Sequence, residues 1–241
     1  MRLNEIPVPL VLNDTSIHDF ISTLELAARD PAVDVLVLKG STEGFCRGLD
    51  LEMLAASPTS RARGLNEYVR ALRRLRFLSK ATIALVEGPA LGGGVGIVAA
   101  CDVVLATKTA SLGLPEVLFG LVPATIFPLL LERMTPQQAR LLALQGLSRD
   151  ADYCARIGLV DEVVDASELR AACRSAARLL RRGAPRAVGE LKRLSAEMAE
   201  LELGTALAHG AAFTTTVLSD KQRLAALETF RDEGTITWTD P

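Results

Sequence analysis

ATIALVEGPALGGGVGIVAACDVVLATKTASLGLPEVLFGLVPATIF, residues 81–127, is the longest region of low charge in this chain. It holds the densest glycine cluster, GGGVG at residues 92–96, between a run typical of a buried strand and a run typical of a helix. Because glycine has no β-carbon, such a cluster lets another group come close to the backbone. Glu116 stands in apolar surroundings, where a carboxyl group is a candidate acid or base with a raised pKa. The stretch therefore predicts a site built from backbone N–H donors and one glutamate.

The flanking sequence predicts strands and helices in alternation. Apolar and β-branched runs predict strands at residues 6–12, 33–38, 81–86, 102–106 and 110–112. Amphipathic runs predict helices at residues 17–29, 65–78 and 95–101, and a further helix begins near Asp50. Residues 57–64, SPTSRARG, predict a mobile loop. Strands that alternate with helices indicate βαβ units and a parallel sheet, so the fold class is α/β.

The chain becomes predominantly helical after Thr135. Thr135 followed by Pro136 is typical of a capped helix start. Residues 147–164 predict a helix and then a short strand, and three more helices are predicted at residues 167–182, 185–199 and 202–231. This shift in composition predicts a core at residues 1–165 and a C-terminal helical region at residues 166–241.

Composition excludes several classes of function. A net charge of −2 over 241 residues gives no electrostatic footprint for nucleic acid. No apolar run reaches the roughly 20 residues needed to cross a membrane, and the N-terminus does not resemble a signal peptide. Four scattered cysteines indicate free thiols in a reducing compartment, so we expect a cytoplasmic protein. With two histidines and no CxxC pair, we expect no metal site.

Three interpretations of the glycine cluster compete. Residues 94–99 fit the GxGxxA pattern of dinucleotide-binding sites. That match is weak, because GPAL at residues 88–91 separates the glycines from the strand and the strand DVVLAT ends without an acid. A turn that only serves packing is a second interpretation. The third is an oxyanion hole, for which the glycine-bracketed loop at residues 43–50 supplies a second backbone donor.

Three motifs in order favour the third interpretation: FCRGLDL at residues 45–51, GPALGGG at 88–94 and LPEVLFGLVP at 114–123. With them, the chain resembles the crotonase (enoyl-CoA hydratase/isomerase) family, and ARIGLVDEVV at residues 155–164 extends the resemblance. The resemblance implies the crotonase (ClpP-like) spiral of ββα turns with a C-terminal helical region that serves trimerisation or forms a lid. It also implies a homotrimer or hexamer.

The resemblance implies roles for particular residues. The backbone N–H groups of Cys46 and Gly93 would form the oxyanion hole, and Glu116 would be the catalytic acid/base. Hydratases of the family carry a second glutamate two residues after the triple glycine, where this chain has Gly96. Residues that would line the bound acyl thioester are Leu91, Gly92, Gly94 and Gly96. Arg47 would reach a phosphopantetheine phosphate or a distal carboxylate of the substrate.

A narrower likeness favours one reaction. The stretch after Glu116 and the tail TITWTD at residues 235–240 look like those of dehydratases in polyketide β-branching. Such a lyase converts 3-hydroxy-3-methylglutaryl-acyl carrier protein to 3-methylglutaconyl-acyl carrier protein. The substrate is carried on phosphopantetheine or CoA, and no other cofactor is implied. Residues 11–17 lack the cation with which the family helps to hold the CoA nucleotide, which favours the carrier protein.

Alternatives to this dehydratase remain open. They are a decarboxylase of a glutaconyl thioester, an enoyl-CoA hydratase/isomerase, and a non-catalytic scaffold of the same fold. Lys80 is the candidate cation for a decarboxylase, although a surface role is the simpler interpretation. Four arginines of the helix predicted at residues 65–78 are either a solvated face or a docking surface for an acidic carrier protein; they are Arg70, Arg73, Arg74 and Arg76.

Overall fold

A computed structural model describes residues 3–234 and residue 236 of the chain. Most of the tail at residues 235–240, on which part of the narrower likeness rests, lies outside the described residues. The chain forms two compact units, of which the first extends to Arg181 and the second begins at Arg182. No helix of the described part is both long and apolar enough to cross a membrane.

A five-stranded parallel sheet forms the centre of the first unit. In spatial order its strands are β1 (Leu3–Pro7), β2 (Val35–Lys39), β3 (Ala81–Val86), β5 (Val103–Thr107) and β8 (Glu162–Val164). All six residues of β3 are buried, as expected for a strand that is covered on both faces of a parallel sheet. β1 lies at the edge, where Pro7 costs no ladder hydrogen bond. The predicted α/β class with a parallel sheet is confirmed.

A second, three-stranded sheet contains β4 (Pro89–Leu91), β6 (Ser111–Gly113) and β7 (Ser148–Asp150). β4 pairs with β6 in parallel, and β7 pairs with β6 in antiparallel orientation. Successive strands therefore alternate between the two sheets, β3 to β4 and then β5 to β6. The sequence interpretation missed β4, because three residues of Pro-Ala-Leu are too few to show a period of two.

Eleven α-helices occur in the described part of the chain. They are α1 (Asp14–Arg29), α2 (Leu51–Ala55), α3 (Pro58–Arg76), α4 (Gly93–Ala100), α5 (Phe127–Arg133), α6 (Pro136–Gln145), α7 (Ala151–Arg156), α8 (Leu169–Leu180), α9 (Pro185–Met198), α10 (Leu203–Val217) and α11 (Lys221–Glu233). Capping boxes begin α1 at Asn13 and α6 at Thr135, so the predicted start of α6 is confirmed.

Ser57 is the N-cap of α3 and residues 58–64 are helical, so the prediction of a mobile loop at residues 57–64 is wrong. Ser57 caps α3 by accepting a hydrogen bond from the amide of Ser60, and Pro58 occupies the first turn, where its missing N–H costs nothing. A β-carbon at Gly64 would lie 2.7 Å from Sδ of Met53 and 2.8 Å from Oδ1 of Asp14. The glycine that was read as a loop signal therefore permits close packing of α3.

The division between the units falls after the predicted boundary at residue 165, because α8 packs on β3 and β5 and so belongs to the first unit. In the second unit, the single helix predicted for residues 202–231 is two helices, α10 and α11. Asp220 interrupts it by accepting a hydrogen bond from the amide of Gln222 at the start of α11. Within that unit, Arg223 donates to both carboxylate oxygens of Glu190 at 2.8 Å.

Candidate active site

The glycine cluster forms the turn from β4 into α4. Gly92 adopts a φ of +49°, a conformation that side-chain-bearing residues rarely take, and donates its amide to the carbonyl of Gly113 at 2.9 Å. Gly93 is the first residue of α4. In the described part of the chain, the amides of Gly93 and Gly94 donate to no backbone carbonyl outside α4. A helix leaves its first amides unpaired at the positive end of its dipole, so this end of α4 can receive a partial negative charge.

The loop at residues 45–50 lies in backbone contact with this end of α4. A β-carbon at Gly94 would lie 2.3 Å from the carbonyl oxygen of Cys46, closer than any side chain tolerates. Gly48 has a φ of +90°, and a β-carbon there would lie 3.2 Å from the amide nitrogen of Gly93. The structure therefore brings the two glycine-rich motifs together, as the oxyanion-hole interpretation requires.

The prediction that Cys46 supplies a free backbone donor is wrong. Its amide donates to the carbonyl of Pro89 at 3.2 Å, and its carbonyl accepts from the amide of Leu91 at 2.9 Å, so Cys46 bridges to β4. The Cys46 thiol is buried as well, and burial raises its pKa to about 11, which keeps it protonated and unreactive.

Leu49 supplies the free amide of this loop. Leu12 donates to the carbonyl of Gly48 and accepts from the amide of Asp50, which makes a parallel bridge opposite Leu49. In such a bridge the opposed residue turns its own N–H away from its neighbour. The amide of Leu49 has no hydrogen-bond partner among the residues that the structure describes. The direction of the backbone N–H groups alternates along FCRGLDL, and this alternation was the sequence signal for the Leu49 donor. It could be interpreted only once the pairing with Leu12 was known.

Glu116 lies beside the glycine turn, as the sequence predicted. It belongs to a 3₁₀ helix, Pro115–Phe119, that follows β6. A β-carbon at Gly92 would lie 2.9 Å from Oε1 of Glu116. Oε2 of Glu116 is buried and has no hydrogen-bond partner in the described part of the chain. Burial raises the pKa of this carboxyl group above its ordinary value, so its ionised form is a stronger base than an exposed glutamate.

Position 96 has no room for a side chain. A β-carbon at Gly96 would lie 2.4 Å from Oη of Tyr68 and 2.4 Å from Cγ2 of Ile126. Tyr68 is fully buried and donates its hydroxyl to the carbonyl of Gly93 at 2.5 Å. The sequence interpretation missed Tyr68, whose signal was a hydroxyl-bearing residue on the otherwise apolar buried face of α3.

Of the two predicted cations, Arg47 belongs to the loop at residues 45–50, whereas Lys80 is engaged elsewhere. Arg47 is exposed, and its side chain forms no ion pair or hydrogen bond with any described residue. Lys80 donates to the carbonyls of Asp30 and Val33 at the beginning of β3, whereas the site lies beyond the end of that strand. The decarboxylase interpretation therefore loses its candidate cation.

Of the four α3 arginines that were candidates for a docking surface, three form ion pairs within the chain. Arg70 and Arg74 lie 3.9 and 3.4 Å from a carboxylate oxygen of Glu25. Arg76 lies 2.6 Å from a carboxylate oxygen of Glu132. Arg73 has no such partner among the described residues. Their role as a docking surface for a carrier protein stays a prediction.

This arrangement combines two kinds of catalytic group. The free amides of Leu49 and Gly93 lie on adjoining turns and can donate to an oxygen that gains negative charge. The Glu116 carboxylate stands next to the same turn and can accept a proton from a neighbouring carbon. Such a site suits chemistry at the carbon next to a thioester carbonyl.

Comparison with known proteins agrees with this description. The sequence profile of the family described as enoyl-CoA hydratase/isomerase matches residues 2–241. Mevalonyl-coenzyme A hydratase sidH of Aspergillus fumigatus is 38% identical over 164 residues, which are 66% of this chain and 59% of that protein. Bacillaene synthase dehydratase PksH of Bacillus subtilis is 28% identical over 234 residues, 95% of this chain and 88% of that protein.

A solved structure shares the same fold. The crystal structure of an enoyl-CoA hydratase from Shewanella pealeana superposes with a TM-score of 0.87 at 25% sequence identity. The superposition covers 95% of this chain and 87% of the other.

Proposed function

Since this chain belongs to the enoyl-CoA hydratase/isomerase family and is a lyase of the hydratase/dehydratase kind, we propose that it dehydrates a 3-hydroxyacyl thioester. The substrate that we propose is 3-hydroxy-3-methylglutaryl on the phosphopantetheine arm of an acyl carrier protein. The product is the 3-methylglutaconyl thioester.

One observation carries the proposal: in the part of the chain that the structure describes, a single carboxylate faces the turn. Glu116 lies beside Gly92, while position 96 is a glycine whose side-chain space is filled by Tyr68 and Ile126. Addition and elimination of water share one transition state, so a single group that serves as both base and acid must suffice in either direction. One carboxylate suffices for elimination, because it can take a proton from C2 and return it to the hydroxyl that leaves C3.

The mechanism follows from the positions of the groups. The thioester oxygen accepts hydrogen bonds from the amides of Leu49 and Gly93. Glu116 removes the C2 proton, and the electron pair of the C–H bond moves into an enolate whose oxygen those amides stabilise. The enolate then forms the C2–C3 double bond and expels the C3 hydroxyl group, which leaves as water with the proton held by Glu116. Atoms and charge balance without any further reactant.

The choice of acyl group draws on two relatives. One is named for mevalonyl-coenzyme A, and the mevalonyl group, like 3-hydroxy-3-methylglutaryl, carries a methyl and a hydroxyl group on C3. The other is named as the dehydratase of bacillaene synthase. The first name therefore supports a branched 3-hydroxy-3-methyl thioester, and the second supports dehydration.

The carrier is the second part of the proposal. The segment at residues 11–17 contains no cation, and its Asp14 pairs with Arg63 at 2.8 Å. The nucleotide of CoA carries an additional phosphate, and this surface offers that phosphate little attraction. A phosphopantetheine arm on a carrier protein lacks the nucleotide and so does not need a cation there. Arg47, exposed in the oxyanion loop, is the cation that we propose for the pantetheine phosphate or the distal carboxylate of the glutaryl group.

Mass spectrometry of the loaded carrier protein tests the function. The protein is incubated with 3-hydroxy-3-methylglutaryl-carrier protein, and we expect a loss of about 18 Da, the mass of one water. The same acyl group on CoA is the matched comparison, and we expect it to react more slowly. No loss of water from either thioester would overturn the proposal.

The same assay separates the remaining candidates. Loss of carbon dioxide from 3-methylglutaconyl-carrier protein would identify a decarboxylase instead. Rapid hydration of a linear enoyl-CoA would identify a general hydratase. Inertness toward every thioester, together with co-purification of a partner, would identify a scaffold.

A further inference from the structure

Tyr68 is a fully buried polar residue that the mechanism above leaves without a role. It comes from the middle of α3, among the small and apolar residues that this helix buries. Its hydroxyl donates a short hydrogen bond of 2.5 Å to the carbonyl oxygen of Gly93. Burial, together with the nearby Cys46 and Glu116, raises the pKa of Tyr68 well above its ordinary value, so the phenol stays protonated as a donor.

The hydrogen bond is made to the residue whose amide faces the substrate. Gly93 is the first residue of α4, and in a helix the N–H and the C=O of one residue point toward opposite ends of the axis. Tyr68 therefore holds Gly93 through its carbonyl oxygen. The amide of Gly93, which points in the opposite direction, stays free. Glycine is otherwise the least restrained residue that can stand there, because it has no side chain to pack.

The position of the hydroxyl depends on the glycine at 96. A β-carbon at position 96 would lie 2.4 Å from Oη of Tyr68, and one at position 93 would lie 3.3 Å from the same atom. The phenol therefore fills the space that a side chain at position 96 would enter, and from there it reaches Gly93.

We propose that Tyr68 is a positioning residue for the reaction, which holds the amide of Gly93 in the direction of the thioester oxygen. The inference rests on the proposed function insofar as that function uses an oxyanion hole. The Tyr68 hydrogen bond stabilises mainly the transition state, in which the thioester oxygen carries the most charge. It contributes little to the binding of the substrate in its ground state.

Tyr68→Phe tests the inference, because it removes one oxygen atom and keeps the ring that packs in the core. The probe is a cinnamoyl-pantetheine thioester, whose absorption moves to longer wavelength when its carbonyl group is hydrogen-bonded. We expect a red shift in the wild type and a smaller one in Tyr68→Phe. In turnover of the loaded carrier protein we expect kcat to fall roughly tenfold, less than for loss of a whole oxyanion donor, while KM changes by less than about twofold.

Tyr153→Phe is the matched control, because Tyr153 is the other tyrosine of the chain and stacks under Arg149 outside the site. It should leave the red shift and kcat as in the wild type, and thermal unfolding confirms that both variants are folded. An equal red shift and kcat in wild type and Tyr68→Phe would overturn the inference and leave the proposed function standing.

The two proposals fail in different ways. No red shift even in the wild type would overturn the oxyanion hole and the role of Tyr68 together. A red shift that depends on Tyr68, in a protein that does not dehydrate the carrier-bound substrate, would support the positioning role and overturn the proposed function alone.

Discussion

Glu116 combines two features that a folded protein rarely tolerates in one residue. Its Oε2 is buried without a hydrogen-bond partner among the described residues, and the group carries a charge when ionised. An unpaired buried polar atom costs free energy, so it persists where it serves another purpose. In the proposed mechanism, that purpose is to take a proton from a bound substrate.

The raised pKa of Glu116 makes a prediction about stability and pH. Because its pKa in the folded state lies above the ordinary value of 4.5, folding favours the protonated form. The stabilisation that this preference gives is complete below the pKa of Glu116 in the unfolded state. It is lost as the pH rises through the pKa of Glu116 in the folded state. Glu116→Gln, which stays neutral, should therefore gain stability relative to the wild type as the pH rises. Thermal unfolding between about pH 4 and pH 8 measures the difference in stability between the two proteins. A difference that shrinks as the pH rises would contradict the prediction.

Gly96 is predicted to resist the addition of a second carboxylate. In Gly96→Glu the new β-carbon would lie 2.4 Å from Tyr68 and Ile126, so the core is overpacked and a charge is buried. We expect the free energy of unfolding to fall by about 1–3 kcal/mol or more, without gain of enoyl hydration. Ala171→Glu, at an exposed position of α8, is the control, because it adds the same carboxylate at the surface. A stable Gly96→Glu protein that hydrates enoyl thioesters would refute this.

Sequence alone predicted the glutamate and the glycines of the site, because those residue types are unusual in apolar surroundings. It named Cys46 instead of Leu49 because the direction of a backbone N–H depends on which strand the loop pairs with. Tyr68 was missed for a related reason. A tyrosine in an amphipathic helix looks like a core residue until its hydroxyl is seen to meet Gly93.

At the scale of elements, the site depends on how closely α4 approaches the loop at residues 45–50. Gly94→Ala would place a methyl group 2.3 Å from the carbonyl oxygen of Cys46, a backbone atom that cannot turn aside. We expect the helix and loop to separate and kcat to fall about a hundredfold, as for loss of an oxyanion donor. Steady-state turnover of the loaded carrier protein measures the effect.

Gly204→Ala is the control for this substitution, since a methyl group there meets no atom within 4 Å. Full activity in Gly94→Ala would mean that the contact between α4 and the loop does not matter for catalysis.

The elements themselves were predictable in proportion to the strength of their pattern. The bounds of β3 were predicted to the residue, because its six consecutive apolar or β-branched residues are bounded by the charged Lys80 and Glu87. The start of α3 was misread because Ser, Pro and Gly signal loops and helix caps alike, and only packing against Met53 distinguishes the two. The break between α10 and α11 was hidden because Asp220 looks like any other surface acid.

At the scale of the molecule, the crotonase spiral that the three motifs implied is confirmed by the structural relative. The first two motifs meet where the loop at residues 45–50 contacts the start of α4, and the third places Glu116 beside them. The limits of the compact units were harder to predict, because a helix such as α8 shows in its sequence that it is amphipathic but not which sheet it covers.

Assembly is predicted from exposed apolar residues of the second unit. No residue of α10 is buried, and Leu203 and Leu207 are 76% and 66% exposed. Large exposed apolar faces mark surfaces that bind another protein, and in soluble proteins this is most often another copy. Light scattering should give the mass of a trimer or hexamer of the 25.8-kDa chain. A double variant that carries Leu203→Glu and Leu207→Glu should have a lower mass in solution. A monomeric wild type would contradict this.

The central claim is that Glu116 alone moves the proton, and the rate of water loss in Glu116→Gln tests it most directly. Wild type, Glu116→Gln and the control Glu43→Gln are each mixed in excess with 3-hydroxy-3-methylglutaryl-carrier protein; Glu43 is an exposed carboxylate just before the loop at residues 45–50. The rate of 3-methylglutaconyl formation is then followed by mass spectrometry. We predict wild-type rates for Glu43→Gln and a loss of about a thousandfold for Glu116→Gln, within the range of general acid–base catalysis. A Glu116→Gln protein that dehydrates the substrate at the wild-type rate would contradict the claim.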